Sequence, residues 1–206
     1  MYHGARSLLK HTVRQIRPLA RSVPSVQAVV DRSEEILERL RALTTTRVAV
    51  ERIRCHGDYH LGQVLWTGKD FVLIDFEGEP ARSVGQRRLK RPALVDVAGM
   101  IRSFHYASRA AAAQMTRDLP SSSAPEVLDP LLELWYPSVA GMFLRSYLET
   151  AAGAPFVPAD HDQLANLLGF HLLEKAIYEL GYEANSRPEW VAMPAQGILD
   201  LLETNL

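Results

Sequence analysis

The 206-residue sequence contains only one cysteine, Cys55, and this scarcity excludes several classes of protein. A single cysteine cannot form a disulfide within the chain, and one thiol is too few for a metal cluster. Because chains without disulfides are typical of reducing compartments, we expect a cytoplasmic protein.

Long apolar runs are also absent from the sequence. The opening residues, MYHGARSLLKHTVRQIRPL, contain no continuous apolar segment of the signal-peptide type. No later stretch approaches the roughly 20 apolar residues that a helix needs to cross a bilayer. We therefore expect neither secretion nor a membrane as partner.

An excess of charge of one sign is lacking too, since 23 lysines and arginines face 24 aspartates and glutamates, for a formal net charge of -1. A balanced chain is typical neither of polyanion-binding proteins nor of strongly acidic ones. The first predicted helix has a basic face but no interleaved aromatic residues, so we do not expect nucleic acid as a partner. Hydrophobic residues make up 47% of the chain, which is enough for one large domain with its own core.

Helical periodicity is present on both sides of a short β-rich region. Apolar residues recur at helical spacing over about residues 5–20, and again over residues 24–43. Further helices are predicted over roughly residues 94–116, 124–150, 160–183 and 196–202, the second of them with a break near Pro130 or Pro137. The chain is therefore predicted to be mainly helical.

Between the helical parts, the apolar pattern changes to that of β-structure. Residues 48–53 and 64–66 are short β-rich runs, and residues 71–74 follow a turn at 67–70. We expect the last two runs to form a hairpin. The basic stretch over residues 81–92 has little apolar periodicity and is predicted to be a loop.

Two polar segments flank the predicted hairpin: HGDYHLGQ (residues 56–63) precedes it, and IDFEGEP (residues 74–80) follows its second strand. In a kinase catalytic loop, a histidine is followed two positions later by an aspartate and five positions after that by an amide, and a metal-binding aspartate lies downstream. The residues at the corresponding positions here are His56, Asp58, Gln63 and Asp75.

These residue types suit phosphoryl transfer, which needs a carboxylate to orient the attacking hydroxyl and oxygen ligands that hold Mg²⁺ against ATP. Asp58 fits the first role, and Gln63 with Asp75 fits the second. Gln63 stands where asparagine is usual, and its amide oxygen is an equally hard ligand on a longer side chain. We expect His56 to support the loop. For HGDYHLGQ alone, the alternative is a polar loop in which Asp58 caps a helix.

Four segments together resemble the maltokinases, members of the aminoglycoside and choline kinase-like group that are often fused to trehalose synthases. The segments are HGDYHLGQVL, VLIDFEGEPA, RPALVDVAGMIRSFHYAS and LLEKAIYELGYEANSRPEWVAMPAQGILDLL. The resemblance begins near Arg52, and DFEGEP is its most specific part. It implies transfer of the γ-phosphate of ATP, with Mg²⁺, to maltose, giving maltose 1-phosphate for α-glucan synthesis.

The resemblance also implies a mainly α (α+β) fold, a protein kinase-like carboxyl-terminal lobe in which a small β-hairpin carries the catalytic loop. We expect residues 1–206 to form one lobe, with leading helices (1–47), the loop and hairpin (48–80) and a helical acceptor-side part (81–206). The sequence shows no glycine-rich phosphate loop and no β-rich nucleotide lobe ahead of these blocks. We therefore expect the amino-terminal lobe to be absent and the chain alone to have little activity.

Further residues are candidates for contacts with the substrates. Glu77 and Glu79 either tune the metal or the sugar hydroxyl, or are solvated acids that pair with Arg82 and the basic residues 87–91. Asp96 is expected to cap or support the helix behind the active site.

An acceptor site is predicted in the last long helix. Glu174, Tyr178 and Tyr182 share one helix stripe that could offer hydrogen bonds and stacking faces to a sugar, although the spacing alone fits packed tyrosines equally well. The resemblance favours maltose binding by this stripe together with Arg187 and Trp190.

Two alternatives stay open at this point. The catalytic loop is shared by kinases of other small alcohols, so the chain could be another aminoglycoside or choline kinase-like enzyme. A different class is a non-catalytic interaction module associated with trehalose synthase. The possible protein partners are therefore a missing kinase lobe and trehalose synthase.

Overall fold

The computed structural model of the chain describes residues 1–46, 48–80, 82–118 and 124–204. Within these ranges, the fold is mainly helical with one two-stranded sheet, as the sequence predicts. Its elements are α1 (Tyr2–Ile16), α2 (Pro24–Asp31), α3 (Ser33–Ala42), β1 (Val64–Trp66), β2 (Phe71–Leu73), α4 (Val84–Arg87), α5 (Leu94–Asp118), α6 (Ala124–Thr150), α7 (His161–Ser186) and α8 (Ala192–Glu203), with 3-10 turns at Leu61–Gln63 and Pro188–Trp190. None of the described helices is both long enough and apolar enough to span a membrane.

The chain divides into two compact units. The first unit combines its two ends, Met1–Val50 and Pro158–Leu206, and the second unit is the segment between them, Glu51–Val157. The first unit contains α1 to α3, α7 and α8, and the second contains the hairpin and α4 to α6. The three-part division of a single lobe that the sequence suggests stays a prediction.

The core of the first unit is built around α7. Every residue from 167 to 173 in this helix is buried, which is the pattern of a helix enclosed by its neighbours. Asp160 precedes the helix, and its side chain accepts a hydrogen bond of 2.8 Å from the Gln163 amide, which satisfies one of the open donors of the first turn. Helix α1 contributes a buried stripe at the spacing of one helix face, consisting of Ala5, Leu9, Val13 and Ile16.

Helices α1 and α7 approach each other closely at a glycine. An ideal Cβ placed on Gly181 would lie only 2.9 Å from Thr12 Oγ1, so a larger residue would push the helices apart. The Thr12 hydroxyl donates a hydrogen bond of 3.3 Å to the Ile177 carbonyl on α7. The contact between the two ends of the chain thus combines apolar burial with a hydrogen bond across the interface.

In the second unit, β1 and β2 form the predicted hairpin. The turn closes through a hydrogen bond of 2.9 Å from the Thr67 amide to the Asp70 carbonyl. The antiparallel register pairs Val64 with Leu73, Leu65 with Val72, and Trp66 with Phe71. Later in the chain, α5 packs against α6. The rings of Phe104 and Phe143 meet edge to face, with their centroids 5.6 Å apart.

Several details of the elements differ from the prediction. The apolar pattern over residues 24–43 belongs to two helices, because the backbone at Arg32 (φ -92°, ψ 15°) leaves the helical region. The β-rich run at residues 48–53 forms no strand, since only Ile53 pairs, in a single bridge with Arg91. A strand needs a partner along its length, and this run finds one at a single residue.

Two further corrections concern prolines and the basic loop. Helix α6 runs without interruption through Pro130 and Pro137, so the predicted break is wrong. The predicted loop contains the short helix α4, which begins with a capping box formed by Ser83 and Gln86. Ala81, at the start of that predicted loop, lies outside the described residues.

Candidate active site

His56 connects the two predicted motif segments. Its side chain is buried, Nδ1 lies 3.4 Å from the Asp58 amide nitrogen, and Nε2 lies 2.8 Å from the Ile74 carbonyl oxygen. Because the amide donates to Nδ1, the ring proton belongs on Nε2, where it donates to the carbonyl. The ring also contacts the Phe76 ring, with centroids 4.9 Å apart. The segment carrying Asp58 is thereby tied to the turn that follows β2.

Two glycines allow these segments to approach each other. Gly57 and Gly78 have φ angles of 86° and 81°, in the left-handed region that glycine adopts without steric cost. An ideal Cβ on Gly57 would lie 3.3 Å from the Cα of Gly78, which is closer than nearly all Cβ contacts. Both glycines are therefore needed for the catalytic loop and the acidic turn to meet.

Asp96, in the first turn of α5, holds the start of the catalytic loop. Its Oδ2 accepts a hydrogen bond of 2.6 Å from the His56 amide, and its Oδ1 accepts one of 2.9 Å from the Gly57 amide. Burial raises the pKa of Asp96, and the two amide hydrogen bonds oppose that rise. The sequence predicts that Asp96 caps or supports its own helix. In the structure, Asp96 holds the backbone of the loop, which lies about 40 residues earlier in the chain.

The same face of α5 contacts the rest of the loop through two residues that the sequence reasoning missed. An ideal Cβ on Gly99 would lie 2.7 Å from the Tyr59 carbonyl oxygen, so glycine is required for this approach. Ser103 Oγ accepts a hydrogen bond of 2.9 Å from the Leu61 amide. No local pattern identifies Gly99 or Ser103, because their importance depends on a partner far away in the chain.

Gln63 and Asp75 lie against each other across the base of the hairpin. Gln63 Nε2 donates a hydrogen bond of 3.0 Å to Asp75 Oδ2, and the Ile74 amide donates one of 3.0 Å to the Gln63 carbonyl. Asp75 has a φ of 61°, and among the described residues it alone is a non-glycine with positive φ. Such strain, which costs about 1–3 kcal/mol, is concentrated at functional sites.

This pair has the donor chemistry that a magnesium ion prefers. Mg²⁺ is usually held by one or two carboxylates and by substrate phosphates rather than by a cage of protein ligands. Asp75 supplies a carboxylate and Gln63 a neutral amide oxygen, once its side-chain amide rotates. No cluster of three or more histidine, cysteine or acidic ligands occurs in the described parts of the chain. The residues therefore fit a metal that is shared with a nucleotide.

Asp58 itself is partly shielded from water. Its side chain is 19% exposed, and its Oδ2 lies 3.8 Å from His60 Nε2. The carboxylate is therefore neither fully buried nor fully exposed to water. HGDYHLGQ does form a polar loop, but Asp58 is not its helix cap, because the residue that caps the following 3-10 turn is His60.

Glu77 and Glu79, the two acids after Asp75, have different surroundings. Glu77 is largely exposed, and its Oε2 lies 3.7 Å from Arg87, which also donates to the Arg82 carbonyl. Exposed pairs of this kind contribute about 0–1 kcal/mol to stability. The Glu79 carbonyl accepts from the Arg82 amide at 3.0 Å. A role for either acid in metal or sugar binding stays a prediction.

The predicted acceptor residues lie in the first unit, on and after α7. The rings of Tyr178 and Tyr182 stack with centroids 6.5 Å apart, and Lys175 Nζ lies 5.0 Å from the centroid of the Tyr178 ring. Glu174 Oε2 lies 3.2 Å from Nδ1 of the buried His171. The predicted stripe of one acid and two tyrosines therefore exists on the helix surface.

Arg187 and Trp190 form a second cluster with Glu183. Arg187 makes two hydrogen bonds, of 2.9 and 2.6 Å, to Glu183, whose side chain is only 2% exposed. The guanidinium also lies over the Trp190 ring at 5.2 Å and near the Tyr182 ring at 6.0 Å. A bidentate pair of this kind fixes the guanidinium plane. Arg187 is thus placed to orient the two aromatic rings, and its predicted contact with maltose stays a prediction.

Comparison with known sequences identifies relatives of this chain. A glucosamine kinase from Streptacidiphilus jiangxiensis is 27% identical over 181 residues, which cover 88% of this chain and 38% of that protein. A glucosamine kinase from Mycolicibacterium smegmatis (strain ATCC 700084 / mc(2)155) is 28% identical over 148 residues, covering 72% of this chain and 34% of that protein. The chain therefore spans little more than a third of the length of these relatives.

Solved structures share the fold. Crystal form B of glucosamine kinase superposes with a TM-score of 0.77 at 23% identity, covering 98% of this chain and 44% of that one. Glucosamine kinase in complex with glucosamine, ADP and inorganic phosphate gives a TM-score of 0.70 at 25% identity and covers 98% of this chain and 46% of that one. The model of the phosphotransferase enzyme family (APH) matches residues 5–131, a range that includes both predicted motif segments with Asp58, Gln63 and Asp75. The chain belongs to this phosphotransferase enzyme family.

Proposed function

We propose that this chain is the catalytic-loop part of an ATP- and Mg²⁺-dependent sugar kinase. The observation that carries the proposal is the contact between Gln63 and Asp75, which is tied through His56 to the segment that bears Asp58. Because the chain belongs to a phosphotransferase family, we interpret this geometry as a site for phosphoryl transfer. No other cluster in the described parts of the chain combines a strained acid, an amide ligand and a partly shielded carboxylate.

In the proposed reaction, Asp58 accepts a hydrogen bond from the acceptor hydroxyl and receives its proton as the hydroxyl oxygen bonds to the γ-phosphorus. The bond between that phosphorus and the bridging oxygen of ADP breaks. Gln63 and Asp75 would hold the magnesium ion, which supplies positive charge against the phosphate oxygens when bound. Asp96 and Ser103 keep the loop backbone in place while these groups act.

Maltose is our first acceptor. The sequence blocks resembling maltokinases, and above all DFEGEP, support it, as do the stacked tyrosines and Trp190, because aromatic faces suit the apolar faces of a disaccharide. The product would be maltose 1-phosphate, used in α-glucan synthesis, and trehalose synthase would be an associated partner. Glucosamine is the second candidate, since the relatives described above are glucosamine kinases.

A nucleotide-holding lobe is part of the proposal, because catalysis of phosphoryl transfer depends on positioning. Leu65, Trp66, Phe71 and Val72 of the hairpin are 46–64% exposed, which leaves an apolar surface of the kind that seeks cover. We therefore expect the chain alone to turn over slowly. A partner that covers the hairpin would raise its activity.

The acceptor is tested by measuring ADP release from MgATP with maltose, glucosamine and choline in turn. The protein is a chimera in which this chain replaces the matching part of a glucosamine kinase, and the chain alone is assayed beside it. Maltose-dependent release would support the first candidate, and release only with glucosamine would support the second. ADP release that no acceptor accelerates, in a folded chimera that binds ATP, would contradict the proposed function.

A further inference from the structure

His60 lies between Asp58 and the 3-10 turn that carries Gln63. Its Nδ1 accepts a hydrogen bond of 3.1 Å from the Gly62 amide, and its Nε2 lies 3.8 Å from Asp58 Oδ2. The His60 carbonyl accepts a hydrogen bond of 2.9 Å from the Gln63 amide. One residue thus contacts the turn through both its side chain and its backbone while its ring faces the carboxylate.

The hydrogen bond to Nδ1 determines which atom of the ring faces Asp58. A nitrogen that accepts from an amide carries no proton, so the proton of the neutral ring belongs on Nε2. Nε2 is the ring nitrogen that lies 3.8 Å from Asp58 Oδ2. The distance of 3.8 Å exceeds that of a hydrogen bond, but an N–H dipole still attracts a carboxylate at this range in a partly shielded site.

Gly62 provides independent support for this placement. An ideal Cβ on this residue would lie 2.8 Å from Cε1 and 3.0 Å from Nδ1 of the His60 ring. Real Cβ atoms essentially never approach so closely, so glycine leaves the space that the ring occupies. Glycine at position 62 is therefore matched to this ring position.

We propose that His60 is a positioning residue that couples the orientation of the Asp58 carboxylate to the turn bearing Gln63. The proposal rests on the proposed function, in which Asp58 orients the acceptor hydroxyl. The turn fixes the ring through Nδ1, and the ring restricts the side-chain rotamer of Asp58 through Nε2. A movement of the turn on metal binding would then change the rotamer of Asp58.

A simpler role, in which His60 only caps the turn, makes a different prediction. His60→Asn keeps a side-chain oxygen that can accept from the Gly62 amide, as asparagine does at helix caps, but it is too short to reach Asp58. His60→Ala removes both contacts. A pure cap would be rescued by asparagine, and a positioning residue would not. His161→Asn is the matched control, because His161 is 91% exposed.

The test is made on the 206-residue chain by NMR, without any substrate. Nitrogen-15 spectra of the His60 ring report its tautomer, and three-bond couplings to Cγ report the rotamers of Asp58. We expect the Nε2–H tautomer, one dominant Asp58 rotamer in the wild type, and rotamer averaging in both His60 variants but not in His161→Asn. The Nδ1–H tautomer, or a single Asp58 rotamer in a folded His60→Asn variant, would overturn the proposal.

Turnover in the acceptor assay provides the second measurement. Both His60 variants should lower kcat about ten- to a hundredfold, the cost of a misplaced reacting group, with a much smaller change in the KM for ATP. Wild-type kcat in His60→Asn would also overturn the proposal. Absence of transfer in the wild type would instead refute the proposed function, and the NMR result would still decide whether His60 orients Asp58.

Discussion

The two units of the molecule differ in how much apolar surface they expose and in where their positive-φ residues lie. In the first unit, Leu9, Phe170 and Ile198 are at most 1% exposed, whereas Trp66 and Phe71 of the second unit are 60% and 64% exposed. Within the described ranges, every residue with positive φ belongs to the second unit. Both units bury apolar residues, among them Leu94 and Ala98 of the second, but within the described ranges the positive-φ residues and the proposed catalytic loop belong to the second unit.

This comparison teaches that stability and chemistry can be perturbed separately. A change in the packed helices should lower the free energy of unfolding without altering the loop. A change at Asp58 should abolish transfer in a protein that remains folded. Substitutions chosen from each unit test whether the separation is real.

Asp58→Asn should have the largest effect on transfer. The amide cannot accept the proton of the acceptor hydroxyl, so kcat should fall about 100- to 10,000-fold, the usual contribution of a general base. Thermal unfolding should change little, because the side chain is partly exposed. Asp162→Asn, at a residue whose side chain is 94% exposed, is the control. Transfer at the wild-type rate in Asp58→Asn would remove Asp58 from the mechanism.

Leu9→Ala should have the largest effect on stability. Leu9 lies in the core of the first unit at 1% exposure, and truncating such a residue costs about 2–5 kcal/mol of unfolding free energy. The kcat of the molecules that remain folded should not change. Leu89→Ala is the control, because Leu89 is 65% exposed and its loss should cost less than about 0.5 kcal/mol. Denaturant titration measures both, and equal effects would contradict the assigned core.

Gly99→Ala should affect both properties moderately. Its Cβ would lie 2.7 Å from the Tyr59 carbonyl, so the catalytic loop must shift, at about 1–3 kcal/mol and with reduced kcat. Gly141→Ala, also in a helix of the second unit, is the matched control, since nothing lies within 4 Å of its Cβ. That control should stabilise the protein by up to about 1 kcal/mol. If the two variants behaved alike, α5 would not be positioning the loop.

At neutral pH the titration of His105 should have the smallest effect, because it adds a dependence of stability on pH only below about pH 6.5. It is 3% exposed, and burial, with Arg102 and Arg109 nearby, lowers its pKa to about 3 from an ordinary value of 6.5. In the described part of the chain, neither ring nitrogen has a hydrogen-bond partner, and the ring meets Tyr136 edge to face. The unfolded chain therefore binds a proton below pH 6.5, and the folded chain does not until about pH 3.

Stability should consequently fall as pH decreases from 6.5 towards 3, by at most about 1.4 kcal/mol for each pH unit. His105→Phe keeps the edge-to-face ring contact and removes the titrating group. Denaturant titrations at pH 7, 6 and 5 should show a shallower decline in this variant than in the wild type. Equal declines in the two proteins would show that His105 is not protonated on unfolding.

The sequence predicts part of this structure because some of its signals are local. The helical periods over residues 5–20 and 160–183, and the hairpin with its turn at residues 67–70, depend on neighbours in the chain and are found where expected. The catalytic loop could also be identified, because its residues act as a set at fixed spacing. The sequence alone therefore predicts Asp58, Gln63 and Asp75 as site residues.

Other features depend on contacts that no local pattern records. The break at Arg32 interrupts a continuous apolar period, and α6 continues through Pro130 and Pro137 although proline usually ends or kinks a helix. The approach of Gly99 to Tyr59 joins residues 40 positions apart. The sequence does not show why glycine is needed at position 99, because Tyr59, which approaches it, lies far away in the chain.

The metal site at Gln63 and Asp75 is the central claim, and paramagnetic NMR tests it most directly. Mn²⁺, which prefers the same oxygen ligands as Mg²⁺, is added with ADP to the labelled 206-residue chain. We predict that broadening begins at the signals of Gln63 and Asp75, and that it disappears in Asp75→Ala while Asp162→Ala, at a residue that is 94% exposed, keeps it. Broadening centred elsewhere, or unchanged in Asp75→Ala, would contradict the site and the mechanism built on it.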